Sequence, residues 1–147
     1  MPSNKLSNEV LVKLLDIQWQ DHFQTRSQTW KTLEITSVLA IAVVGVDWQV
    51  GNLFATIVGC ILLIIAAQFG ISITLRHRKV EIHKFIKIAE IEKRLGVLDK
   101  DMGLPQPLKW WSIFQFSKSN TPLFILRMHF IIQLFAIGYC VLRIFTN

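Results

Sequence analysis

Charge is scarce in this chain, and one long stretch has none. Only 18% of the 147 residues are charged, against about 25% in ordinary soluble domains. The 28 residues between Asp47 and Arg76 carry no charge. Cysteine is nearly absent. Cys60 and Cys140 lie in apolar segments and form no CxxC pair, which excludes a thiol metal ribbon or a redox pair and leaves a buried structural role. Met1–Lys31 is polar and lacks an apolar h-region, so no signal peptide is expected. The four histidines, His22, His77, His83 and His129, show no HExxH or other tight ligand spacing. No P-loop, nucleophile–base pair or paired catalytic carboxylate can be assembled. These absences predict a protein that is not an enzyme and needs no metal, haem or other cofactor.

Basic residues are in excess, with a formal charge of +6. No RNA- or DNA-binding motif accompanies them, so nucleic acid is not the expected partner. They flank apolar segments, where they face anionic lipid headgroups.

What is abundant is apolar length. Leu53–Leu75 reads LFATIVGCILLIIAAQFGISITL. A span needs roughly 20 apolar residues, because the hydrocarbon core is about 30 Å thick and a helix rises about 1.5 Å per residue. This second span meets that length unaided. A first span is expected at Leu33–Gln49. Only the 12 residues Ile35–Val46 separate Glu34 from Asp47, so both carboxylates must sit at the interfaces, where charge costs far less than at mid-bilayer. Trp30 and Trp48 flank it as an aromatic belt would. The Asp47–Asn52 turn permits only a tight hairpin. A third span is expected at Pro122–Phe145, with Thr121 as N-cap and Pro122 at the first helical position. Arg127 and Arg143 bracket 15 residues without a formal charge and can snorkel.

Outside the spans, Ser7–Lys31 reads as an amphipathic helix. Ser7 is its N-cap, and Val12, Leu15, Trp19, Phe23, Trp30 and Leu33 form its apolar face. It suits the membrane surface or another helix. Arg76–Gly96 continues the second span into water and stops at Gly96. Two stripes make it greasy on two sides: Val80, Ile88, Ile91 and Leu95, then Ile82, Phe85, Ile86 and Ala89. Such a helix is sandwiched between partners. Leu98–Lys109 is a loop, since Gly103, Pro105 and Pro107 forbid regular structure. Trp110–Phe116 is an aromatic interfacial segment. The fold class is therefore an all-α integral membrane protein: an N-terminal amphipathic helix, a two-span hairpin, a cytoplasmic helix and a third span, in one membrane domain.

Four basic residues precede the first span and ten lie between Arg76 and Lys118, while the Asp47–Asn52 turn has none. The positive-inside rule then places the N-terminus and the central region in the cytoplasm, and the turn and C-terminus outside.

Three groups of residues are candidates for function. Ala55, Gly59, Ala66, Gly70 and Thr74 form a small-residue helix-packing face, because helices in lipid associate through close backbone approach. Gln68, Ser72 and Gln133 are polar groups within spans. They either bond between helices or line a hydrated path in an oligomer. Glu34, Arg76, His77, Arg127 and His129 form a charge cluster at the inner boundary, with Glu34–Arg127 the preferred ion pair and Arg76 the rival partner of Glu34.

The pattern His22-Phe23-x-x-Arg26-x-x-x-Trp30, a short two-span hairpin and a basic helix leaving the membrane together resemble the small bacterial SLATT domains. They are similar, more loosely, to the RipA-type small membrane proteins. The resemblance covers about Leu11–Gly96, and the third span is additional to the two-span plan. It implies a pore-forming effector in a nucleotide-triggered antiphage system of a bacterial inner membrane. The expected function is a small homo-oligomeric channel or membrane-perturbing effector. The alternative is a non-conducting scaffold or accessory subunit that docks a cytoplasmic protein partner through the helix after the second span.

Overall fold

The computed structural model describes residues 7–97, 107–114 and 120–146. They form α1 (Asn8–Val50), α2 (Leu53–Leu95), a short 3-10 turn (Trp110–Phe114) and α3 (Thr121–Thr146), with no strand among them. All three helices are long and apolar enough to cross a membrane. Of the expected loop and interfacial segment, residues 98–106 and 115–119 lie outside the described residues.

The expected division of the N-terminal half into two helices does not occur. α1 runs through Lys31 and Leu33 unbroken for 43 residues. Ser7 caps it by accepting from the Val10 N–H. At its far end Gly51 adopts a left-handed conformation (φ 62°) and donates its N–H to the Asp47 carbonyl at 2.8 Å. Asn52 then caps α2 by accepting from the Ala55 N–H at 3.1 Å. Gly51 and Asn52 alone join the two helices, so the chain must fold back as an antiparallel hairpin. α2 also has 43 residues and ends at Gly96, again left-handed. At about 1.5 Å per residue each helix is about 64 Å long, roughly twice the thickness of a bilayer core of about 30 Å. The hairpin is therefore long enough for a membrane-crossing half near the turn, where the apolar residues lie, and a stalk half beyond it.

One seam runs the whole length of both helices. On α1 the covered positions are Leu11, Leu15, Gln18, His22, Thr25, Thr29, Leu33, Thr36, Ala40, Val43 and Asp47. On α2 they are Thr56, Cys60, Leu63, Ala67, Gly70, Thr74, Arg78, Glu81, Phe85, Ile88 and Glu92. Steps of three and four alternate, the spacing of a left-handed coiled coil. Each helix breaks the alternation once, with two steps of four: Thr25–Thr29–Leu33 and Gly70–Thr74–Arg78. The two breaks face each other, because Thr29 bonds His77 across the hairpin at 2.7 Å. Such an insertion locally unwinds a coiled coil.

The apolar face expected for the N-terminal helix is displaced by part of a turn. Val12, Phe23 and Trp30 stay exposed, while Leu11 and His22 are buried. Phe85 receives Trp19 edge-on, with ring centroids 5.8 Å apart. The two stripes on the Arg76–Gly96 helix do not act as units: Ile88 of one and Phe85 of the other sit in the seam with α1, while Val80 of the first and Ile86 of the second remain outside.

α3 packs on the membrane half of α2 and touches α1 more sparingly. Its Ile125, Ile132 and Ala136 join Leu33, Leu63 and Ala67 in one core cluster. Leu123 and Leu126 join Ile71 and Ile113 in a second, which holds the 3-10 turn against the bundle. α3 begins one residue earlier than expected, at Thr121. Asn120 is the cap, accepting from the Leu123 N–H through its side chain and from the Phe124 N–H through its carbonyl. The outer surfaces of the spans carry Ile35, Ile41, Trp48, Phe54, Phe69 and Leu134, as lipid contact requires.

Candidate functional site

A polar cavity of about 210 Å³ opens where the hairpin's membrane half becomes the stalk. α1 supplies His22, Thr25, Arg26 and Thr29, and α2 supplies Thr74, His77, Arg78 and Glu81. On each helix these positions step by three, one and three residues, so they line one face. The start of α3 closes the cavity with Asn120, Thr121, Pro122 and Ile125. The position follows from the fold: the paired breaks in the seam lie here, and α3 ends its own packing here.

The bonding in the wall is specific. Arg26 Nη2 donates to Thr121 Oγ1 at 2.9 Å, tying α1 to the first residue of α3. Arg78 pairs with Glu81 one turn along α2. His22 Nδ1 stands 3.8 Å from the same Glu81 carboxylate. Thr25 and Thr29 donate their hydroxyl hydrogens to the carbonyls of Asp21 and Thr25. One turn along the stalk, Lys84 pairs with Asp21 at 2.7 Å and donates to Thr25 Oγ1 at 2.8 Å. Burial pushes His22 below the ordinary histidine range; Arg26, Lys84 and Arg78 push the same way, while Glu81 opposes. Burial lowers His77 too, helped by Arg76 and Lys84.

The charge cluster expected at the inner boundary does not assemble as one group. His77 lines the cavity. Glu34 and Arg76 are exposed, and Glu34 forms no ion pair among the described residues. The preferred Glu34–Arg127 pair is therefore absent there. Glu34 follows Leu33, which occupies the seam, so its side chain points away from the other helices. Arg127 donates Nε to the Ile113 carbonyl at 3.1 Å and so holds the 3-10 turn. His129 is fully buried between the helices. Both its ring nitrogens lack a hydrogen-bond partner among the described residues.

The polar groups in the spans meet inside one chain. Gln133 donates Nε2 to Gln68 Oε1 at 2.9 Å, joining α3 to α2. Ser72 Oγ donates to the Gln68 carbonyl of its own helix at 3.0 Å. The small-residue row is only partly a contact face. Gly70 and Thr74 are buried, Gly59 and Ala66 are half-buried, and Ala55 is exposed. A Cβ on Gly70 would lie 2.2 Å from His129 Cε1, so glycine is required for that ring to fit.

A clamp at the turn end is built on Asp47, a residue expected only to mark an interface. Its carboxylate accepts from Thr56 Oγ1 on α2, and from Tyr139 OH at 2.5 Å on α3. Arg143 pairs with it at 2.8 Å. This contact fixes the C-terminal end of α3 beside the hairpin turn. Arg143 is thus bound to a carboxylate as well as placed for snorkelling.

Arg26, Arg78 and Glu81 were not among the expected site residues. A signal existed: both helices carry polar residues at i, i+3, i+4 and i+7 where apolar ones would continue the seam. No protein family, curated protein or solved structure matches the chain.

Proposed function

We propose that the chain is a non-enzymatic scaffold or accessory subunit of a bacterial inner membrane, holding a helical stalk in the cytoplasm for a protein partner. The Gln68–Gln133 bond carries this reading. A pore built on these amides needs them turned to a shared axis, where they replace part of an ion's hydration. Here each amide is engaged by the other within one chain. The orientation rests on the basic residues, which crowd the stalk end and are missing from the turn.

The stalk supplies a docking surface. Lys79, Val80, His83, Ile86 and Lys87 are exposed on α2, Lys87 at the rim of a shallow groove shared with Leu11, Leu14 and Gln18 of α1. Lys84 is spent inside the hairpin on Asp21 and Thr25, so the partner meets the other lysines. Glu34 favours assembly into homo-oligomers. It stands exposed one turn to the membrane side of Trp30, where a carboxylate is costly without a partner, and a second copy can supply one.

The reading predicts that purified protein gives no current in planar bilayers and that Gln68→Leu leaves partner capture unchanged. Joint reversal at Lys79→Glu and Lys87→Glu should lower capture of cytoplasmic partners at least tenfold. Reproducible current that Gln68→Leu reduces would instead support the channel-forming effector that the resemblance to SLATT domains implies.

A further inference from the structure

The cavity at the base of the stalk is lined by two guanidiniums and one carboxylate, Arg26 and Arg78 against Glu81. Glu81 is engaged by Arg78 within the wall. Arg26 has no carboxylate partner among the described residues. Its contact with Thr121 uses one of the five N–H donors of a guanidinium and orients the rest. The start of the 26-residue α3 borders the same space, and the positive end of a helix dipole favours an anion there. Pro122 brings no N–H to that end, which leaves the guanidiniums as the main donors.

Three of the four lining threonines do not compete for the role. Thr25, Thr29 and Thr74 each donate their single hydroxyl hydrogen to a backbone carbonyl, and Thr121, which accepts from Arg26, adds one neutral hydroxyl donor beside the guanidinium. The site is thus built for charge and for the forked geometry of guanidinium recognition, and poorly for a neutral polyol.

Depth narrows the ligand. Trp30 lies one residue beyond Thr29 of the wall, with its ring 6.1 Å from that of Phe124. Trp48 lies eighteen positions beyond Trp30, a rise of about 27 Å, close to the bilayer core. With the two tryptophans at the two interfaces, the cavity sits at headgroup level. Its volume of about 210 Å³ exceeds a water's share of about 30 Å³ several-fold and admits a phosphate with part of its ester.

We propose that this cavity binds a phosphate group, carried either by an anionic lipid headgroup or by a small soluble phosphate ester, with Arg26 as its principal ligand. The cavity coincides with the facing breaks in the seam, at the level where α3 begins. A bound phosphate would bridge α1, α2 and α3. The proposal uses no partner protein, and its failure leaves the scaffold reading standing.

The test uses the full chain in a neutral maltoside detergent, with thermal unfolding and direct binding as readouts. Three probes are titrated: dioctanoyl phosphatidylglycerol, dioctanoylglycerol, which lacks the phosphate, and glycerol 1-phosphate. A saturable rise in midpoint is expected with phosphatidylglycerol and none with dioctanoylglycerol. If glycerol 1-phosphate alone reproduces the rise, the ligand is a soluble ester; if only the lipid does, it is a headgroup. Arg26→Gln should weaken binding at least tenfold and Arg26→Lys at least threefold, while Lys87→Gln on the outer stalk leaves it unchanged. Should Arg26→Gln fail to fold, the Arg26→Lys result decides. Binding undiminished by loss of the Arg26 fork, or no saturable rise with either phosphate probe, overturns the proposal.

Discussion

Gly70 shows how much rests on a single missing atom. His129 fills the space against its backbone, and a methyl group there would overlap the imidazole, with 2.2 Å to the nearest ring carbon. Buried histidine cannot move aside in a packed bundle, so Gly70→Ala should destabilise by about 1–3 kcal/mol, the usual cost of overpacking. His129→Ala in the same background should recover much of that loss, because it removes the atoms in conflict. Thermal unfolding of both variants in detergent checks this, and a Gly70→Ala protein as stable as the parent would contradict it. Gly59 is less demanding, since a Cβ there meets Val43 at 3.2 Å, a distance a few tenths of an ångström of adjustment can relieve. At this scale the sequence was legible where the argument needed only residue type. Small residues on α2 and amides within the spans were visible as packing and bonding groups. Their partners were not. Asp47 finds Tyr139 and Arg143 across 92 and 96 residues of chain, and nothing local to Asp47 signals either one.

At the scale of the element, the hairpin is a coiled coil with a polar centre. His22, Thr25 and Thr29 occupy seam positions where apolar residues would be counted as helix periodicity, so the apolar pattern of α1 appeared rotated. The expected break near Lys31 has a related cause. Lys31 and Glu34 mark the passage from one medium to another, and a change of solvent reads in sequence like a change of element. A helix satisfies its backbone hydrogen bonds internally in water and in lipid alike, so it passes through unbroken. The polar centre predicts acid sensitivity. His22 and His77 both have pKa values lowered from the ordinary 6.5, chiefly by burial. Between the lowered values and about 6.5 the unfolded chain binds more protons than the folded one, so stability rises with pH across that window. The unfolding midpoint in detergent should be level above about pH 7 and fall as pH drops through 6.5 towards 5. Joint His22→Gln and His77→Gln substitution should flatten that fall. A midpoint that climbs on acidification would contradict the account.

For the molecule as a whole, the charge-free length of α2 announced the membrane, and the terminal glycines announced where α2 and its turn would stop. The three-span plan follows from length and hydropathy, which are properties of composition. The register between helices, the cavity and the clamp follow from side-chain direction, which composition does not contain. α3 returns to the turn end of the hairpin, where Asp47 holds Tyr139 and Arg143, at the opposite end from the stalk. Paired reporter fusions test it most directly, one joined after Lys100 beyond the stalk and one after Asn147. The two reporters should localise to opposite sides of the membrane, the first in the cytoplasm. Both reporters on the same side would contradict it, because α3 would then not cross.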